Sequence, residues 1–510
     1  MSTPPRSGEK PQVGEPRFAD RGVSSPQLMR RANRQALLQH ALGAEAFTAA
    51  DAMAATGLTR ATVLGVCAEL EQAGWLEEAP AERDGAAPRG RPARRFSLRA
   101  RAGILLAVDA GQHTLAARAA DLRGRELAAE RLVLEDAPLV GDDLEAGAAA
   151  AERRLEALRA LLDRVSARAG ALGPVDAARA EGSHDAAGAV DALTAAGAAG
   201  AADGRGTAGA PRLLTVVGVP APVDAGGRSP SGDAGYWPAM NPGLVDALDG
   251  PVLVENDANL AALAERAHLA LSGADADHLA ALLMGERFGA GLVVDGRLLR
   301  GADGGAGEMR FLDAVLGDHR GADGVAALAR RWALEALEAG ETSAALSALP
   351  PAELGAKDVF LAARDGDALA RAVLERIGDR LARIAMILSS LIAVDTVVVA
   401  GAIAEAIDPV LEHAREALPR IGTPPLPQLR ASSLGRDVVV RGALELALTR
   451  LREDPLALLA TDPVQDPHPP TEGNRTSLPQ QHSRPQQHSR PQQHSRPQRR
   501  RRACADSAPE

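Results

Sequence analysis

The stretch PVLVENDANLAALAE, residues 251–265, constrains the fold of this chain more strongly than any other. Its apolar run 252–254 predicts a short strand buried on both faces. From Ala258 onward, apolar residues recur at spacings of three and four, which predicts a helix. Polar residues between a buried strand and the helix that follows it mark the ligand-binding edge of an open α/β sheet. The stretch therefore predicts an α/β domain with a ligand site at this junction.

The polar residues of this junction are Glu255, Asn256, Asp257 and Asn259. The unpaired amides and the dipole of a helix start favour a negative charge. We therefore expect Asp257 to stay ionised and to accept a proton or hydrogen bonds from a hydroxyl group. The stretch alone leaves a second interpretation open, in which Asn256 or Asp257 serves only as a helix cap.

Composition bounds the class of protein. A chain of 510 residues suggests about three domains, and 46% hydrophobic with 24% charged residues is typical of a globular protein. The net charge is −10, so binding of nucleic acid requires a local basic patch. The two cysteines, Cys67 and Cys504, argue against a disulfide framework and a cysteine zinc site, and favour a reducing cytoplasmic location. No apolar run approaches the roughly 18 residues of a membrane span, and no signal peptide is recognisable.

Residues 1–23 are rich in proline, glycine and charge and are predicted to be disordered. A helix is predicted to start at Pro26, and Thr48 and Thr59 are predicted to cap a short second and a third helix. Helix, short helix, tight turn and helix is the order of a helix-turn-helix, whose last helix enters the major groove with its first residues leading. Residues 24–99 are therefore interpreted as a DNA-binding domain.

Two short strands are predicted on either side of an arginine- and glycine-rich loop, which we interpret as a wing. The loop segment 83–95 concentrates positive charge in an acidic protein, as phosphate binding requires, and an arginine there can enter a narrow minor groove. A small helical bundle or dimerisation module is the alternative for helices of this size. The candidate DNA-binding residues are Thr59, Arg60 and Thr62 in the third helix and Arg89 and Arg91 in the wing.

A second domain is predicted over residues 103–452. It opens with a buried strand and a turn at 109–111, and it contains a long helix whose apolar residues between Leu374 and Leu391 predict deep packing on one side. Residues 170–211 consist mostly of Ala, Gly, Asp and Ser, so they are predicted to be a disordered insertion. Residues 453–510, with three QQHSRP repeats, are predicted to be a disordered tail.

The order of motifs in this domain resembles the ROK family of repressors, uncharacterised open reading frames and sugar kinases. The resemblance covers about residues 25–452 without the insertion. It is closest to the members that carry an N-terminal winged helix and act as sugar-responsive transcription factors. It implies an actin-like, two-lobed α/β fold of the sugar-kinase type with a sugar in the cleft. The motifs that carry it are Asp-x-Gly, GVPAPVD, ENDANLAALAE, GERFGAGLVVDG and GADGGAGE.

The resemblance also implies roles for individual residues. In family kinases, the aspartate that matches Asp257 is the base that deprotonates the sugar hydroxyl attacking ATP, and the residues that match Asn256 and Glu308 hydrogen-bond sugar hydroxyls. These roles agree with polar acceptors fixed at the end of a strand. A site must hydrogen-bond a ligand hydroxyl to select for it, and an apolar pocket surface cannot do so. The implied phosphate loops contain Asp109 and Gly111 in one turn and Gly289 and Gly291 in another.

Departures from the family pattern argue against ATP. The first phosphate turn is usually Asp-x-Gly-Gly-Thr, whereas this chain has Gln112 and His113 at the last two positions, so a bulky side chain would hinder close approach of the backbone to phosphate. Glu286 stands where a small hydroxyl residue is usual. A carboxylate about 4 Å from a phosphate charge costs roughly 1 kcal/mol in water and about 4 kcal/mol near a protein surface. The alternative is that Glu286 points away from the phosphates.

The zinc site of the family is not predicted here. The family's Glu-x-Gly-His is Glu308-Met309-Arg310-Phe311, so the histidine that ligates zinc and contacts sugar is replaced, and the cysteine-rich segment expected next is absent. His319 alone cannot form a zinc site. We therefore expect no metal and no cofactor, with ATP and Mg²⁺ only if the protein is an active kinase. Arg310, a further candidate ligand-binding residue, would reshape the pocket toward an acidic ligand.

Three functions are compatible with the sequence. The favoured one is a DNA-binding regulator, expected to be a repressor and a homodimer on a palindromic operator, in which a sugar or sugar derivative shifts lobe closure and the spacing of the winged helices. The alternative is an ATP-dependent, glucokinase-like sugar kinase with an appended DNA-binding domain, with Asp257 as its base. The third is a DNA-binding protein whose cleft serves only dimerisation.

Overall fold

The computed structural model describes residues 26–80, 93–134, 144–171, 210–231, 235–309 and 323–459, with the side chains of 144–147 left out. Several sequence predictions concern residues outside these ranges. They are the disorder of 1–23, the wing residues Arg89 and Arg91, the interior of the 170–211 insertion, Arg310, and the repeats of the tail.

The described chain begins with three helices and a three-stranded antiparallel sheet in the order β1-β3-β2. The elements are α1 (Pro26–Gly43), β1 (Phe47–Thr48), α2 (Ala49–Thr56), α3 (Arg60–Gln72), β2 (Leu76–Ala79) and β3 (Arg95–Leu98). Thr48 and Asp51 form a capping box at α2, Gly57 ends that helix in the left-handed conformation, and Thr59 caps α3. The predicted helix boundaries agree with these positions. The sequence does not predict β1, because a two-residue strand has no periodicity.

A first five-stranded sheet follows, in the order β6-β5-β4-β7-β8. Its elements are β4 (Ile104–Ala110), β5 (Thr114–Ala120), β6 (Glu126–Val133), α4 (Leu144–Ala171), β7 (Arg212–Val219), α5 (Tyr236–Met240), α6 (Leu244–Ala247), β8 (Val252–Asn256) and α7 (Asp257–Leu271). Strand β8 pairs only with β7, and Val252 and Leu253 are half-buried. The prediction of a strand buried on both faces is met in part: Val254 is buried, whereas Val252 and Leu253 pack against hydrophobic cores but stay half-buried.

A second five-stranded sheet repeats this arrangement, in the order β11-β10-β9-β12-β13. In both sheets, three strands form an antiparallel meander and two further strands add in parallel. The elements are β9 (Leu279–Met284), β10 (Phe288–Val294), β11 (Arg297–Leu298), α8 (Val325–Glu338), α9 (Ala356–Arg364), α10 (Ala368–Ile392), β12 (Thr396–Ala400), α11 (Asp408–Ile421), β13 (Gln428–Ala431), α12 (Val438–Glu453) and α13 (Pro455–Leu459). The repeated topology gives the two lobes that the sequence predicts.

Helix α10 is the long apolar helix of the second lobe. Its predicted stripe is buried from Leu374 through Leu388, but Leu391 is 77% exposed. The prediction that Leu391 packs inward is wrong. The elements that cover the rest of the stripe, α8, α9 and α11, do not cover this last turn.

Two helices lie between the sheets and connect them. Helix α7 packs on the second sheet and against α12, which packs on the first sheet. A Cβ atom on Gly291 of β10 would collide with the backbone oxygen of Ala258, and one on Gly442 of α12 would collide with that of Leu260. These close approaches fix the start of α7, and the polar residues it carries, with respect to both sheets.

The folded part extends beyond the predicted end at residue 452. Helix α13 buries Leu456 and Leu459 in the same hydrophobic core as α1, α12 and the first sheet. This pair is too short a segment to give a periodic signal. The side-chain amide of Gln39 in α1 donates to the backbone oxygens of Arg452 and Glu453 at 3.1 and 3.2 Å. The N-terminal unit therefore packs directly on the end of α12. None of the described helices is long and apolar enough to cross a membrane.

Candidate functional site

Asn256 and Asp257 stand at the junction of β8 and α7. The side-chain oxygen of Asn256 accepts from the Asn259 amide at 3.1 Å, and its side-chain nitrogen donates to the Ala221 carbonyl at 3.0 Å. Asp257 is the first helical residue, and its Oδ1 accepts from the Ala258 amide at 2.7 Å. Asn256 is therefore the cap, which the sequence left open, and it also ties the GVPAPVD segment to the start of α7.

The charge of Asp257 differs from the prediction. Burial and the negative charge of Asp109 raise the pKa of Asp257 to about 8, with Glu308 adding to the effect and the Ala258 amide opposing it. The expectation that Asp257 stays ionised is wrong, because desolvation and like charges from distant segments outweigh the helix start. At neutral pH the group is mostly a protonated carboxyl, which can donate one hydrogen bond and accept others.

Asp109, Asp257 and Glu308 come from three separate segments and face the same cleft. Burial raises the pKa of Asp109 to about 6, against the opposing effects of Arg131, Arg154 and the Gly111 amide. Glu308 lies opposite Gly289 in an isolated antiparallel bridge, so the GAGE segment sits beside β10. The structure thus brings together the predicted residues Asn256, Asp257, Glu308, Asp109, Gly111 and Gly289.

The first phosphate turn of the resemblance is occupied by contacts within the protein. Arg154 of α4 is buried and donates to the backbone oxygen of Ala110 and, at 3.4 Å, to that of Gln112. The side-chain oxygen of Gln112 accepts from the Tyr236 hydroxyl at 3.2 Å. The Arg287 guanidinium lies 3.9 Å from the centre of the Tyr236 ring. The turn is therefore held in place by side chains that the sequence did not connect with it.

The second glycine loop differs from its implied role in one respect. Gly291 has a packing function, because α7 leaves no room for a Cβ at this position. Glu286 lies in the turn between β9 and β10 and is exposed. Its backbone oxygen accepts from the Gly324 amide at 2.9 Å. Its carboxylate is thus not buried in the loop.

Glu255, which is buried, and Arg300, whose side chain is 41% exposed, form an ion pair beside the cluster that sequence reasoning missed. The Glu255 side chain is 4% exposed, and its Oε2 accepts from two nitrogens of Arg300 at 2.8 and 2.7 Å. Its Oε1 accepts from the Asn259 side chain at 2.9 Å and the Asn256 amide at 3.0 Å. Forty-five residues separate the partners, so no local pattern could indicate the pair. It holds the segment after β11 against the start of α7.

A pocket of about 670 Å³ lies next to this ion pair. Its lining includes Glu255 and Arg300, but it does not include Asn256, Asp257 or Glu308. The rest of the lining, from β8, the loop after β7 and the α12–α13 junction, is mostly apolar. The predicted sugar-contacting residues Asn256, Asp257 and Glu308 therefore lie outside the lining of this pocket. Among the described residues, no group of three or more His, Cys, Asp or Glu side chains could hold a metal ion.

The start of α3 carries the predicted DNA-binding residues. The Thr62 amide donates to the Thr59 hydroxyl at 3.3 Å, and the two hydroxyls lie 2.9 Å apart. Both threonines are thus engaged in the helix cap, whereas Arg60 is exposed at the first helical position. In the wing base, Arg94 pairs with Glu71 at 2.7 Å and with Glu78 at 3.0 Å, so its charge is balanced within the protein.

Comparison with known proteins relates part of this chain to the ROK family. Residues 238–450 match the model of the ROK family. A glucokinase of Halalkalibacterium halodurans is 30% identical over 211 residues, which cover 38% of this chain and 62% of that enzyme. The bifunctional enzyme NanE/NanK of Brucella suis biovar 1 is 31% identical over 232 residues, which cover 42% of this chain and 41% of that enzyme. The chain thus matches less than two thirds of the length of either relative.

A solved structure extends the comparison to nearly the whole described chain. A ROK family transcriptional regulator, a homolog of the E. coli MLC protein, aligns with a TM-score of 0.56 at 20% identity, over 84% of this chain and 98% of that chain. This likeness confirms the fold, with its two-lobed sugar-kinase-like domain. Together with the matched residues 238–450, it supports assignment of this chain to the ROK family.

Proposed function

We propose that the protein is a DNA-binding transcriptional regulator, acting as a repressor, that responds to a sugar or sugar derivative bound between its lobes. The observation that carries the proposal is the difference between the two ends of the cleft. One end presents Asn256, Asp257 and Glu308, whereas the turn at the other end is occupied by Arg154 and Gln112. Such a cleft suits a sugar, and the bulky Gln112 with His113 in the first turn disfavours close approach of a nucleotide phosphate.

The ligand chemistry follows from the polar groups. A hexose offers hydroxyls that both donate and accept, and a protonated Asp257 beside Glu308 and Asn256 provides both partners. The relatedness to a glucokinase and to NanE/NanK supports a hexose or hexose derivative as the ligand class. Arg310, outside the described residues, is proposed as a further contact.

Helices α7 and α12 are proposed to transmit the bound state to the DNA-binding unit. Helix α7 carries Asp257 at its start and packs against α12, and the end of α12 accepts hydrogen bonds from Gln39 of α1. Closure of the lobes around a ligand would move the α7–α12 pair and therefore α1. A ligand shifts this equilibrium only by its differential affinity for the two states.

The N-terminal unit is proposed to bind operator DNA as a winged helix-turn-helix, with α3 in the major groove and the segment after β2 as the wing. A homodimer would place two such units on a palindromic site. Arg60 is the proposed base-edge contact, with Thr59 and Thr62 fixing the start of α3. Arg89 and Arg91 are the proposed wing contacts to phosphate or the minor groove.

The experiment that tests this function is selection of bound DNA from a random duplex pool, followed by titration of the complex with a panel of hexoses and N-acetylhexosamines. We expect an enriched palindromic site and at least one sugar that changes its affinity. Arg60→Ala should weaken operator binding by about 1–3 kcal/mol if Arg60 reads guanine. Arg364→Ala, at an exposed position paired only with Asp365, is the matched control. Failure to enrich any DNA sequence would refute the proposal.

A sugar kinase is the second candidate, and one observation favours it. A carboxyl whose pKa is raised to about 8, as that of Asp257 is, is suited to general-base catalysis near neutral pH. A coupled assay for ADP release over the same sugars with ATP and Mg²⁺ tests it. Turnover that Asp257→Asn abolishes would establish the kinase.

A further inference from the structure

The outward face of α3 is unusually poor in hydrogen-bonding groups. Four consecutive positions along this face, Ala61, Leu64, Gly65 and Ala68, are exposed. Leu64 is among the large apolar side chains exposed on the described surface, at 39%. The opposite face of the helix is fully used in the core, where Val63, Val66, Cys67 and Leu70 are buried.

The polar residues of α3 do not change this description. The Thr59 and Thr62 hydroxyls contact each other within the helix cap. Arg60 at the start and Glu69 and Gln72 near the end are long polar side chains of α3 that remain exposed. Between them, the helix presents a smooth apolar surface about two turns long.

Gly65 gives an independent indication that another surface approaches this face. A glycine inside a helix destabilises it compared with alanine. A Cβ atom at position 65 would meet nothing within 4 Å, so packing within the protein does not require glycine. Close approach of an external surface, by contrast, would require the missing side chain.

We infer that Leu64 is a specificity-determining residue that contacts the 5-methyl groups of thymine in the major groove, with Gly65 allowing the helix to approach the base edges. The inference rests on the proposed DNA-binding function. An apolar side chain distinguishes thymine from the other bases by its methyl group, whereas a hydrogen-bond donor or acceptor would read the remaining edge positions. Arg60 at the leading end remains the proposed polar base-edge contact, and the apolar face adds discrimination of thymine.

The test uses the operator obtained by selection, in which each thymine is replaced in turn by deoxyuridine, which lacks only the methyl group. For the wild-type protein, we expect one or two positions at which this replacement weakens binding about threefold to fivefold, as removal of one buried methyl contact would. Leu64→Ala should bind the thymine and deoxyuridine sites equally. Leu361→Ala, at another exposed leucine that lies in α9, should retain the wild-type preference.

Gly65→Ala separates a close approach to DNA from a folding effect. The added methyl has free space in the protein and favours the helix, so the thermal midpoint should stay the same or rise. Operator affinity should nevertheless fall by about tenfold or more, because the methyl would overpack the interface.

The outcomes distinguish this inference from the function on which it rests. If the wild-type protein enriches no DNA, the proposed function fails. If it binds an operator but tolerates deoxyuridine at every position, or if Leu64→Ala keeps the wild-type sensitivity, the role of Leu64 is refuted while the function stands. Unchanged operator affinity of Gly65→Ala would refute the close approach at that position.

Discussion

The two ends of the cleft differ in how their polar groups are used. At the end formed by β8 and α7, the Glu255–Arg300 pair fixes Asn256 and Asn259, and the Asp257 carboxyl is free to meet a ligand apart from its bond to the Ala258 amide. At the other end, the backbone oxygens of the first turn accept hydrogen bonds from Arg154. We call the first the open end and the turn at 110–112 the closed end, because Arg154 and Tyr236 brace that turn with hydrogen bonds.

The proposed function as a sugar sensor rests on this difference. Recognition of hydroxyls needs a few side chains on a rigid helix start, and these are fixed by packing that also holds the two lobes together. Phosphate binding needs a bare backbone that a ligand can approach closely. Gln112, whose side-chain oxygen accepts from the Tyr236 hydroxyl, places a bulky side chain in that turn.

The largest effect is expected from breaking the support of the sugar end. Arg300→Ala would leave the Glu255 carboxylate buried without its cation, and we expect the free energy of unfolding to fall by about 3–5 kcal/mol. Sugar binding should be lost as well, because Asn256 and Asn259 depend on the same carboxylate. Urea unfolding and sugar-dependent thermal shifts measure both.

Two further variants control this result. Arg266→Ala removes an exposed pair with Asp277 and should cost less than about 1 kcal/mol. Adding Glu255→Gln to Arg300→Ala should recover part of the lost stability, since no buried charge then remains. A loss of less than about 1 kcal/mol for Arg300→Ala alone would show that the pair does not support this end.

At the closed end, Arg154→Ala removes the donor to two buried backbone oxygens. We expect a loss of about 1–3 kcal/mol in the free energy of unfolding, with sugar binding retained and no ADP release gained. Arg153→Ala, an exposed neighbour on α4, is the control and should be nearly neutral. Strong ATP binding by Arg154→Ala would mean that this arginine alone excludes nucleotide.

Asp257→Asn tests the raised pKa of Asp257 through the pH dependence of the free energy of unfolding. The folded protein keeps the Asp257 proton up to about pH 8, whereas the unfolded chain loses it near 3.8, so this group lowers the free energy of unfolding as pH rises between these values. The amide cannot ionise, so the variant should be more stable than wild type at pH 8, by on the order of 1–2 kcal/mol once partial exposure is considered.

The measurement is a set of urea unfolding curves between roughly pH 4.5 and 8.5. In most of this interval the folded protein holds the Asp257 proton and the unfolded chain does not. Asp249→Asn, at an exposed carboxylate, should follow the wild-type curve. Equal pH slopes for wild type and Asp257→Asn would contradict a raised pKa of Asp257.

The smallest effect on stability is expected where α1 meets α12. Gln39→Ala removes hydrogen bonds to the Arg452 and Glu453 oxygens at an exposed position, and should cost less than about 1 kcal/mol. The effect on the sugar response should be larger than the effect on stability. In the variant, sugar should change operator affinity less than it does in the wild type. Gln27→Ala, exposed at the start of α1, is the control. A full sugar response in Gln39→Ala would exclude this contact from the transmission.

The sequence predicted those features whose physical cause is local. Caps such as Thr48, Thr59 and Asn256 bond to amides three residues further along the chain, so their helices begin close to the predicted positions. The residues of the open end were identified because β8 and α7 are adjacent in the chain. Motif order then placed Glu308 with them, although a distant segment supplies it.

Features with a non-local cause could not be predicted. Arg154 reaches Gln112 across 42 residues, and nothing in either segment indicates the contact. The charge of Asp257 was predicted wrongly because its desolvation and its neighbour Asp109 depend on the tertiary fold. The burial of Leu391 was predicted wrongly because periodicity defines a stripe but not where its cover ends.

The most direct test of a cleft open to sugar and closed to nucleotide is one titration of the operator-bound protein with hexoses in the presence of ATP and Mg²⁺. Fluorescence anisotropy of the labelled operator and release of ADP are followed in the same sample. We expect that a sugar changes the anisotropy and that no ADP forms. We also expect that Glu308→Ala removes the sugar-induced change in anisotropy. Stoichiometric sugar-dependent ADP release that Asp257→Asn abolishes, with unchanged anisotropy, would contradict it.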